Sequence, residues 1–319
     1  MGEGLRVTRE DVVAAARRIA DAVIETPLRA ATIDGHRWWL KCESLQTGGA
    51  FKLRGASNRL LQLDAEELAR GVVAFSSGNH AQGVAIAAKR LGIKARIVMP
   101  SDAPQIKVDG TRAYGAEVVF YDRATGDRVA IAKSLADDTG ATVVPAFDDR
   151  HVIAGQGTVG LEILEQLAEA GAGDPPLIAM PVGGGGLAAG IALACPEVRI
   201  VGAEPEGWDD MARSLASGVI EPVGPDAPAT MCDALQTLKA SPITFAVLQE
   251  RRALIIAVSD DQVADAVRWA WAEHRLMVEP GGAAALALFL AGKAMVEEDM
   301  VVVLSGGNID PALHARLVS

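Results

Sequence analysis

The stretch SLQTGGAFKLRG (Ser44–Gly55) places a lysine, Lys52, directly after the aromatic Phe51 and behind a flexible Gly-Gly turn. Most lysines are solvated charges, and Arg54 and Arg59 nearby allow the alternative interpretation of a basic helix face. Because a single short motif is weak evidence, the stretch alone does not decide between a reactive amine and a surface charge.

Three further glycine-containing turns each follow an apolar run of the sequence. They are Ser76-Ser77-Gly78-Asn79-His80, Gly183-Gly184-Gly185-Gly186 and Ser305-Gly306-Gly307-Asn308. In parallel α/β sheets, ligands bind at the turns that follow the strands. We therefore expect the four turns to form one ligand site, with Lys52 as its reactive group.

The composition is typical of a globular enzyme. The 319 residues suffice for one large or two medium domains, and 50% of them are apolar and 22% charged. The formal charge of −11 argues against nucleic-acid or anionic-membrane binding, since both require a basic surface. We expect a small-molecule substrate as the partner, with no nucleic acid and no membrane.

Cysteine usage and the N-terminus predict a cytoplasmic protein. Cys42, Cys195 and Cys232 are far apart and odd in number, so they indicate neither a disulfide framework nor a C-x-x-C metal site. The N-terminus carries charges, Glu3 and Arg6 among them, where a signal peptide needs an apolar core. The longest apolar run is too short to span a bilayer.

Segments typical of strands and helices alternate along most of the chain. The predicted strands are 38–42, 72–76, 95–99, 118–121, 142–144, 177–182, 199–203, 254–258 and 301–304. The predicted helices are 8–24, 79–91, 105–114, a segment between 121 and 142, 156–170, 187–194, 260–274 and 282–291. This alternation predicts an α/β fold with two doubly wound parallel-sheet domains and a ligand between them.

The four consecutive glycines after the strand 177–182 indicate a phosphate site. Gly183, Gly184, Gly185 and Gly186 would expose backbone N–H groups at the start of a helix and let a phosphate come close. A flexible turn is the alternative, but four glycines exceed what a turn needs. The segment lacks a Walker lysine and the G-x-G-x-x-G spacing, so a nucleotide fits less well.

The segment Ser76–His80 has two interpretations. Ser and Asn are favoured helix N-caps, and a cap is the simpler explanation. The same segment also offers hydroxyls, an amide and N–H groups that suit a substrate carboxylate. His80 alone is equally well explained as a structural histidine.

Ser305 ends the last predicted strand, where its hydroxyl could face a ring nitrogen. A reactive lysine, a phosphate cradle, a carboxylate cradle and a partner for a ring nitrogen are together what pyridoxal phosphate requires. This cofactor forms a Schiff base with a lysine and acts as an electron sink, while the protein sets its orientation.

At this point the chain resembles the fold-type II pyridoxal-phosphate enzymes, in their threonine/serine dehydratase and serine racemase branch. The matching motifs occur in family order: SLQTGGAFKLRGA, SSGNHAQGVA, HVIAGQGTVGLEIL, PVGGGGLAAG, GAEPEG, VEPGGAAA and SGGNID. The resemblance implies a fold like that of the tryptophan synthase β-subunit. It also implies a large cofactor-binding domain at 1–70 and 148–319, a small mobile domain at 71–147, and a homodimer.

The resemblance also implies roles for individual residues. Lys52 would carry the cofactor and act as a base, with Phe51 packed beside the ring. Asn79 would bond the cofactor's 3-hydroxyl, Gly183–Gly186 would hold its phosphate, and Ser305 would face its pyridine nitrogen. Because a hydroxyl is a poor counterion for a pyridinium, a neutral ring is expected, which suits prompt β-elimination.

Two further features are implied by the resemblance. Glu204, the backbone carbonyl of Trp208 and Asp210 would bind a divalent cation (Mg²⁺, Ca²⁺ or Mn²⁺), although an acidic surface loop is the alternative. The bulky Trp208 departs from the small residue expected there, which a carbonyl ligand tolerates. Arg128 would contact a substrate carboxylate, or it is a solvated helix arginine.

These expectations together predict an ammonia-lyase that dehydrates a small 3-hydroxy amino acid to a 2-oxo acid and ammonia. L-Threonine or L-serine is the default substrate, bound by Ser76, Ser77, Asn79, His80 and Arg128. The alternatives are 3-hydroxyaspartate dehydration and a serine or aspartate racemase that uses Ser77 and Lys52 on opposite faces. Cysteine synthase-like β-replacement and a non-catalytic binding protein are less well supported rivals.

Overall fold

The computed structural model describes residues 6–33, 35–103, 105–122 and 125–319. Glu3, cited above for the charged N-terminus, lies outside the described residues. So do Arg123 and Ala124, which precede the predicted substrate-binding Arg128. Within the described residues, no helix is both long and apolar enough to cross a membrane.

The strands within the described residues form two separate sheets, of six and four strands. Their bounds are β1 (Leu28–Ile33), β2 (His36–Lys41), β3 (Val72–Phe75), β4 (Ala95–Pro100), β5 (Glu117–Tyr121), β6 (Thr142–Val143), β7 (Leu177–Pro181), β8 (Arg199–Pro205), β9 (Leu254–Val258) and β10 (Val301–Val303). The larger sheet has the order β1-β2-β10-β7-β8-β9, and the smaller has the order β5-β4-β3-β6. The predicted α/β class with two sheet-based domains is confirmed.

Among the described residues, all strand pairs are parallel except one. β1 pairs with β2 in an antiparallel register from Leu28↔Lys41 to Ile33↔His36, at the edge of the larger sheet. The sequence analysis did not predict β1, because most of its residues are exposed or half-buried and show no apolar alternation. The larger sheet is therefore parallel with one antiparallel edge strand, rather than wholly parallel as predicted.

Helices cover both sheets. They are α1 (Arg9–Ile19), α2 (Lys52–Leu60), α3 (Ala65–Arg70), α4 (Asn79–Leu91), α5 (Gln105–Ala113), α6 (Arg128–Thr139), α7 (Arg150–Glu169), α8 (Gly186–Ala194), α9 (Asp210–Ser217), α10 (Pro242–Glu250), α11 (Asp260–His274), α12 (Pro280–Leu290) and α13 (Pro311–Val318). The bounds of α4, α11 and β9 are those predicted. The helix predicted at 8–24 ends early, at Ile19, where the N–H of Ala22 bonds back to the carbonyl of Ile19 in a turn.

The helix predicted at 156–170 begins six residues earlier, at Arg150. The side chain of Asp149 caps it by accepting hydrogen bonds from the N–H groups of His151 (2.7 Å) and Val152 (2.9 Å). The buried glycines Gly155 and Gly157 let this helix approach α2 and α8 closely, since a Cβ at either would overlap the backbone of that neighbour. The prediction missed the cap and with it the first six residues of the helix.

A buried ion cluster fixes the helix that carries Lys52. Arg54 is completely buried and donates to Glu43 through Nε and Nη2, at 2.8 Å each, and to Glu162 at 2.6 Å. Lys41 also donates to Glu162, at 2.7 Å. The alternative of a solvated basic helix face is therefore wrong for Arg54, which instead ties α2 to Glu43, two residues after β2, and to α7. Buried, hydrogen-bonded charge pairs of this kind fix geometry more than they add stability.

Candidate active site

The four predicted turns meet in one cleft at the carboxyl ends of the parallel strands. β10 and β7 are neighbours in the larger sheet, so the turns that follow them, Ser305–Asn308 and Gly183–Gly186, lie side by side. The cleft is lined by the predicted residues of all four turns, namely Phe51, Lys52, Ser76, Ser77, Gly78, Asn79, His80, Gly183, Gly184, Gly185, Gly186 and Ser305. The structure thus brings residues of all four turns to one cleft.

Lys52 is the first residue of α2, and its amine enters the cleft. Nζ donates to the carbonyl of Ala146 at 3.1 Å and lies 5.0 Å from the centre of the Phe51 ring. Within the described residues, no carboxylate forms an ion pair with this amine. Burial therefore lowers the pKa of Lys52 to about 8. A larger fraction of this amine is neutral near physiological pH than for an ordinary lysine, as nucleophilic and basic roles require.

The glycine loop forms a cradle that side chains would fill. α8 starts at the last glycine of the loop, Gly186, and its N-cap, Gly185, has a φ of +83° and makes no side-chain capping bond. A Cβ at Gly184 would overlap the ring of Phe147, and one at Gly183 would lie 3.0 Å from Thr237 Oγ1. The N–H groups at the start of α8 thus remain open to the cleft. This arrangement suits a phosphate group.

The segment before α4 differs from the simple cap considered above. Gly78 is the N-cap, and no side chain caps the helix. The hydroxyl of Ser76 instead accepts the N–H of Gly78 at 3.1 Å. The first N–H groups of α4 are therefore not capped by a side chain, and the side chains of Ser77 and Asn79 line the cleft. This arrangement suits an anionic group.

His80 is buried and neutral. Desolvation and then the charge of Lys52 lower its pKa to about 3. Its Nε2 therefore carries the proton and donates to the carbonyl of Val144 at 2.9 Å, while Nδ1 has no partner within the described residues. This matches the structural interpretation of His80, although the ring also lines the cleft.

Two residues that the sequence analysis did not single out lie against Asn79. Its amide nitrogen donates to Oε1 of Glu279, and its amide oxygen accepts from Asn308 Nδ2 at 2.8 Å. Glu279 lines the cleft and is 2% exposed, and burial raises the pKa of its carboxyl to about 7. The motifs containing both residues were recognised, but nothing in their spacing shows that segments 200 residues apart meet.

Asp233 is another cleft residue that sequence reasoning missed. It lies in the 3₁₀ turn Asp233–Leu235 and forms an ion pair with Lys107 of α5, which is almost fully buried. The pair connects the helix layer of the smaller sheet to the opposite wall of the cleft. Neither residue belongs to a motif whose spacing indicates function.

Arg128, for which the sequence analysis predicted a substrate contact, lines the cleft. It is the first residue of α6 and is half-buried. Among the described residues, it forms no ion pair. Its guanidinium is thus open to a ligand anion.

The acidic segment lies behind the cleft rather than in it. Glu204 is the penultimate residue of β8, and its two oxygens accept the N–H groups of Met211 (3.1 Å) and Ala212 (2.9 Å) at the start of α9. Asp210 is fully buried, and within the described residues neither of its carboxyl oxygens has a hydrogen-bond partner. Burial is the main cause that raises the pKa of Glu204 to about 9 and of Asp210 to about 6, and the negative charge of Asp210 contributes to the shift at Glu204.

The acidic segment, residues 204–210, is followed by Met211, which contacts the glycine loop on the side away from the cleft. A Cβ at Gly185 would lie 2.8 Å from the terminal methyl of Met211, the residue after Asp210. Within the described residues, no cluster of three or more His, Cys, Asp or Glu side chains is arranged to hold a metal ion. A cation here would therefore need backbone carbonyls or water besides the two carboxylates.

Comparisons with known proteins agree with this geometry. The family model described as pyridoxal-phosphate dependent enzyme matches residues 19–306. The chain is 41% identical over 319 residues to L-threo-3-hydroxyaspartate ammonia-lyase of Pseudomonas sp, with 97% of each chain covered. It is 37% identical over 321 residues to L-threonine ammonia-lyase of Thermotoga maritima, with 98% of this chain and 78% of that one covered. The structure of maize serine racemase matches with a TM-score of 0.90 and 37% identity, over 97% of this chain and 96% of that one.

Proposed function

Because the chain belongs to the family of pyridoxal-phosphate dependent enzymes, we propose that it is an ammonia-lyase for small 3-hydroxy amino acids. Its default substrate is L-threonine or L-serine, which loses water and is then hydrolysed to a 2-oxo acid and ammonia. The observation that carries this proposal is the amine of Lys52, held in a cleft beside an open glycine cradle and with its pKa lowered to about 8.

The residues of the cleft fit the cofactor. The glycine loop, which side chains would fill, suits the phosphate, and Lys52 is close enough to line the same cleft. Phe51 would pack beside the ring, Asn79 would donate to its 3-oxygen, and Ser305 would meet its ring nitrogen. When bound, pyridoxal phosphate withdraws the electron pair that remains on the substrate's α-carbon after the proton leaves.

The chain's own residues would bind the substrate and move its protons. The N–H groups at the start of α4, with the side chains of Ser76, Ser77, Asn79 and His80, would hold the α-carboxylate. Nζ of Lys52 would take the α-proton, since burial keeps part of this amine neutral near pH 7. The β-hydroxyl would then take a proton from a nearby acid and leave as water, the released enamine would be hydrolysed by water, and the net products are a 2-oxo acid and ammonia.

3-Hydroxyaspartate is the second candidate substrate, and the position of Arg128 favours it. A guanidinium that lines the cleft without an ion-pair partner among the described residues can bind a second carboxylate in a bidentate manner. The 41% identity to a 3-hydroxyaspartate ammonia-lyase supports the same idea. Racemisation of serine or aspartate is the alternative reaction, with the Ser77 hydroxyl as a second proton-transfer group opposite Lys52.

The acidic segment supports a divalent-cation site formed by Glu204, the carbonyl of Trp208 and Asp210. Two buried carboxyls with raised pKa values would be ionised and stabilised by a bound Mg²⁺, Ca²⁺ or Mn²⁺, because hard oxygens suit these ions. Through Met211 the cation would brace the glycine loop. We expect Ca²⁺ or Mg²⁺ to raise the melting temperature of the wild type but not that of the double variant Glu204→Gln, Asp210→Asn. An equal rise in both proteins would contradict a cation site at these residues.

Three further assignments belong to the same proposal. The large domain would comprise 1–70 and 148–319 and the small mobile domain 71–147. The protein would be a cytoplasmic homodimer. Size-exclusion chromatography with light scattering tests the oligomeric state.

Ammonia release from a panel of substrates tests the function. The panel contains L-threonine, L-serine, D-serine, and the threo and erythro isomers of 3-hydroxyaspartate, each with and without EDTA. Turnover of L-threonine or L-serine supports the default. Turnover confined to hydroxyaspartate, and lost in Arg128→Met, supports the second candidate. The proposal is contradicted if the wild type binds no pyridoxal phosphate. It is also contradicted if the Lys52→Ala variant releases ammonia as fast as the wild type.

A further inference from the structure

The side chains around Asn79 form a directed chain of hydrogen bonds. Its starting point is the backbone carbonyl of Gly48, in the turn before Lys52, which can only accept. Asn308 Nδ2 donates to this carbonyl and to Oδ1 of Asn79, at 2.8 Å each. Nδ2 of Asn79 in turn donates to Oε1 of Glu279. We call these three side chains, Asn308, Asn79 and Glu279, the amide relay.

The direction of the relay follows from its two ends. Because the carbonyl of Gly48 requires a donor, the nitrogen of Asn308 must face it. That nitrogen is also the atom within reach of Asn79, so Asn79 must turn its oxygen toward Asn308. Its nitrogen then faces Glu279, whose carboxylate accepts. The orientation of an amide, ambiguous on its own, is fixed here by the partners.

The orientation leaves one polar hydrogen open to the cleft. One N–H of Asn79 serves Glu279, and the second has no acceptor within the described residues, although Asn79 is 7% exposed and lines the cleft. Oε2 of Glu279 is likewise buried without a partner within the described residues. Buried polar atoms without partners are rare and indicate a ligand or a bound water.

The backbone makes room for the relay and holds it. A Cβ at Gly49 would overlap Oδ1 of Asn308, and a Cβ at Gly306 would overlap Oε1 of Glu279. The N–H of Glu279 bonds to the carbonyl of Gly306 at 3.0 Å, and the N–H of Gly307 bonds to the carbonyl of Gly49 at 2.8 Å. These glycines therefore serve the relay as well as the turns.

We propose that Glu279 and Asn308 are positioning residues that hold the amide of Asn79 with one N–H free for the cofactor. This inference rests on the proposed function, since it assumes that pyridoxal phosphate occupies the cleft. Neither residue needs to touch the substrate. Without them, the amide of Asn79 would rotate and present its oxygen or its nitrogen with similar ease, which weakens a hydrogen bond that requires a donor.

The test measures cofactor binding and the spectrum of the bound cofactor rather than turnover. Wild type, Glu279→Ala, Glu279→Gln and Asn308→Ala are stripped of cofactor and titrated with pyridoxal phosphate at pH 8, with Glu66→Ala as the control. Glu66 is 87% exposed and lies outside the cleft lining. Circular dichroism and thermal melting of each cofactor-free variant show whether it is folded.

We expect Glu279→Ala and Asn308→Ala to raise the cofactor Kd about tenfold, the effect of losing one well-oriented hydrogen bond, and to change the absorbance of the bound cofactor. Glu279→Gln keeps an acceptor of the same size, so its Kd stays within about twofold of wild type. Wild-type binding and spectra in the folded alanine variants would overturn the relay. So would Glu279→Gln behaving like Glu279→Ala, because charge rather than amide orientation would then be responsible.

The two proposals can fail separately. A wild type that does not bind pyridoxal phosphate contradicts the proposed function and the relay with it. If the wild type binds the cofactor and releases ammonia, the proposed function stands. If the folded alanine variants then show unchanged Kd and spectra, only the relay is contradicted.

Discussion

Lys52 shows how one half-buried side chain in a cleft acquires reactivity from its surroundings. An ordinary lysine has a pKa of about 10.4 and is almost fully charged at pH 7. Desolvation alone lowers the pKa of Lys52 to about 8, since the hydrogen-bond acceptor it meets, the carbonyl of Ala146, is uncharged. The site thus combines a neutral acceptor with a low-dielectric environment, which favours the free amine.

The pKa of Lys52 is directly measurable in the cofactor-free protein. Reductive methylation with ¹³C-formaldehyde labels the lysine amines, and the carbon shift of each follows its ionisation. We expect the Lys52 signal to titrate near pH 8, well below the bulk of the lysine signals. The signal is assigned by its loss in Lys52→Arg. A Lys52 signal that titrates with the bulk would show that the amine is solvated.

The buried carboxyl of Glu279 should make the free energy of unfolding depend on pH. Burial raises its pKa from 4.5 to about 7, so the folded state binds this proton more tightly than the unfolded state. Stability from this group is fully present below pH 4.5 and is lost as the pH rises to about 7. The charges that act on it are Lys107, which opposes the shift, and Asp233, which adds to it.

We therefore expect the cofactor-free wild type to lose stability relative to Glu279→Gln between pH 4.5 and 7, by up to about 3 kcal/mol. Urea unfolding of both proteins across this range measures the difference, in which titration of other groups largely cancels. A difference between the two proteins that does not vary with pH would contradict the raised pKa.

At the scale of elements, the glycine loop depends on the side chain that faces it. A Cβ at Gly184 would overlap the Phe147 ring, so Gly184→Ala must displace that ring or the loop. Overpacking of this kind costs about 1–3 kcal/mol, and movement of the loop would also weaken phosphate binding. We expect a lower melting temperature and a higher cofactor Kd.

Two variants control for the Gly184 prediction. Gly173→Ala adds the same methyl where no atom lies within 4 Å, and is expected to be neutral. Phe147→Ala combined with Gly184→Ala removes the obstacle and should recover part of the lost cofactor affinity. Wild-type affinity in Gly184→Ala itself would mean that the loop tolerates a side chain.

The elements that the sequence predicted best are those whose pattern is local. The apolar run Leu254–Val258 and the capped helix Asp260–His274 are each recognisable from their own residues, and the bounds of both were correct. The edge strand Leu28–Ile33 was missed because only pairing with β2 makes it a strand. Helices α9 and α10 were also missed, since Asp210–Ser217 and Pro242–Glu250 lie in a stretch without a regular apolar pattern.

The same distinction applies to the site. Lys52, the glycine loop and Ser305 can be recognised from the sequence because they follow apolar strands, and all of them line the cleft. Glu279 and Asp233 cannot be recognised in this way, because their role depends on contacts with α4 and α5, which pack on the other sheet. Such contacts depend on how distant segments pack, which a local pattern cannot specify.

At the scale of the whole molecule, the cleft lies between the two sheets, and one of the contacts that cross it is an ion pair. The Lys107–Asp233 ion pair joins α5, beside the smaller sheet, to the 3₁₀ turn that packs on α12 of the larger one. Lys107 is nearly buried, whereas the Asp233 side chain is 43% exposed and lines the cleft. In the proposal that residues 71–147 form a mobile domain, an ion pair in this position would favour the closed cleft, and closure of this kind commits the substrate.

Loss of this pair should therefore weaken substrate binding more than the chemical steps. We expect Lys107→Met and Asp233→Asn each to raise KM about three- to tenfold while kcat stays within about twofold, because a less populated closed state lowers apparent affinity. The exchange of charges, Lys107→Asp with Asp233→Lys, restores the attraction and should return KM toward wild type. Arg96→Met, which breaks an exposed pair with Glu117 within the smaller sheet, is the control. If the exchanged pair is as impaired as either single variant, attraction across the cleft is not what holds it closed, and the substrate itself must supply the closing energy.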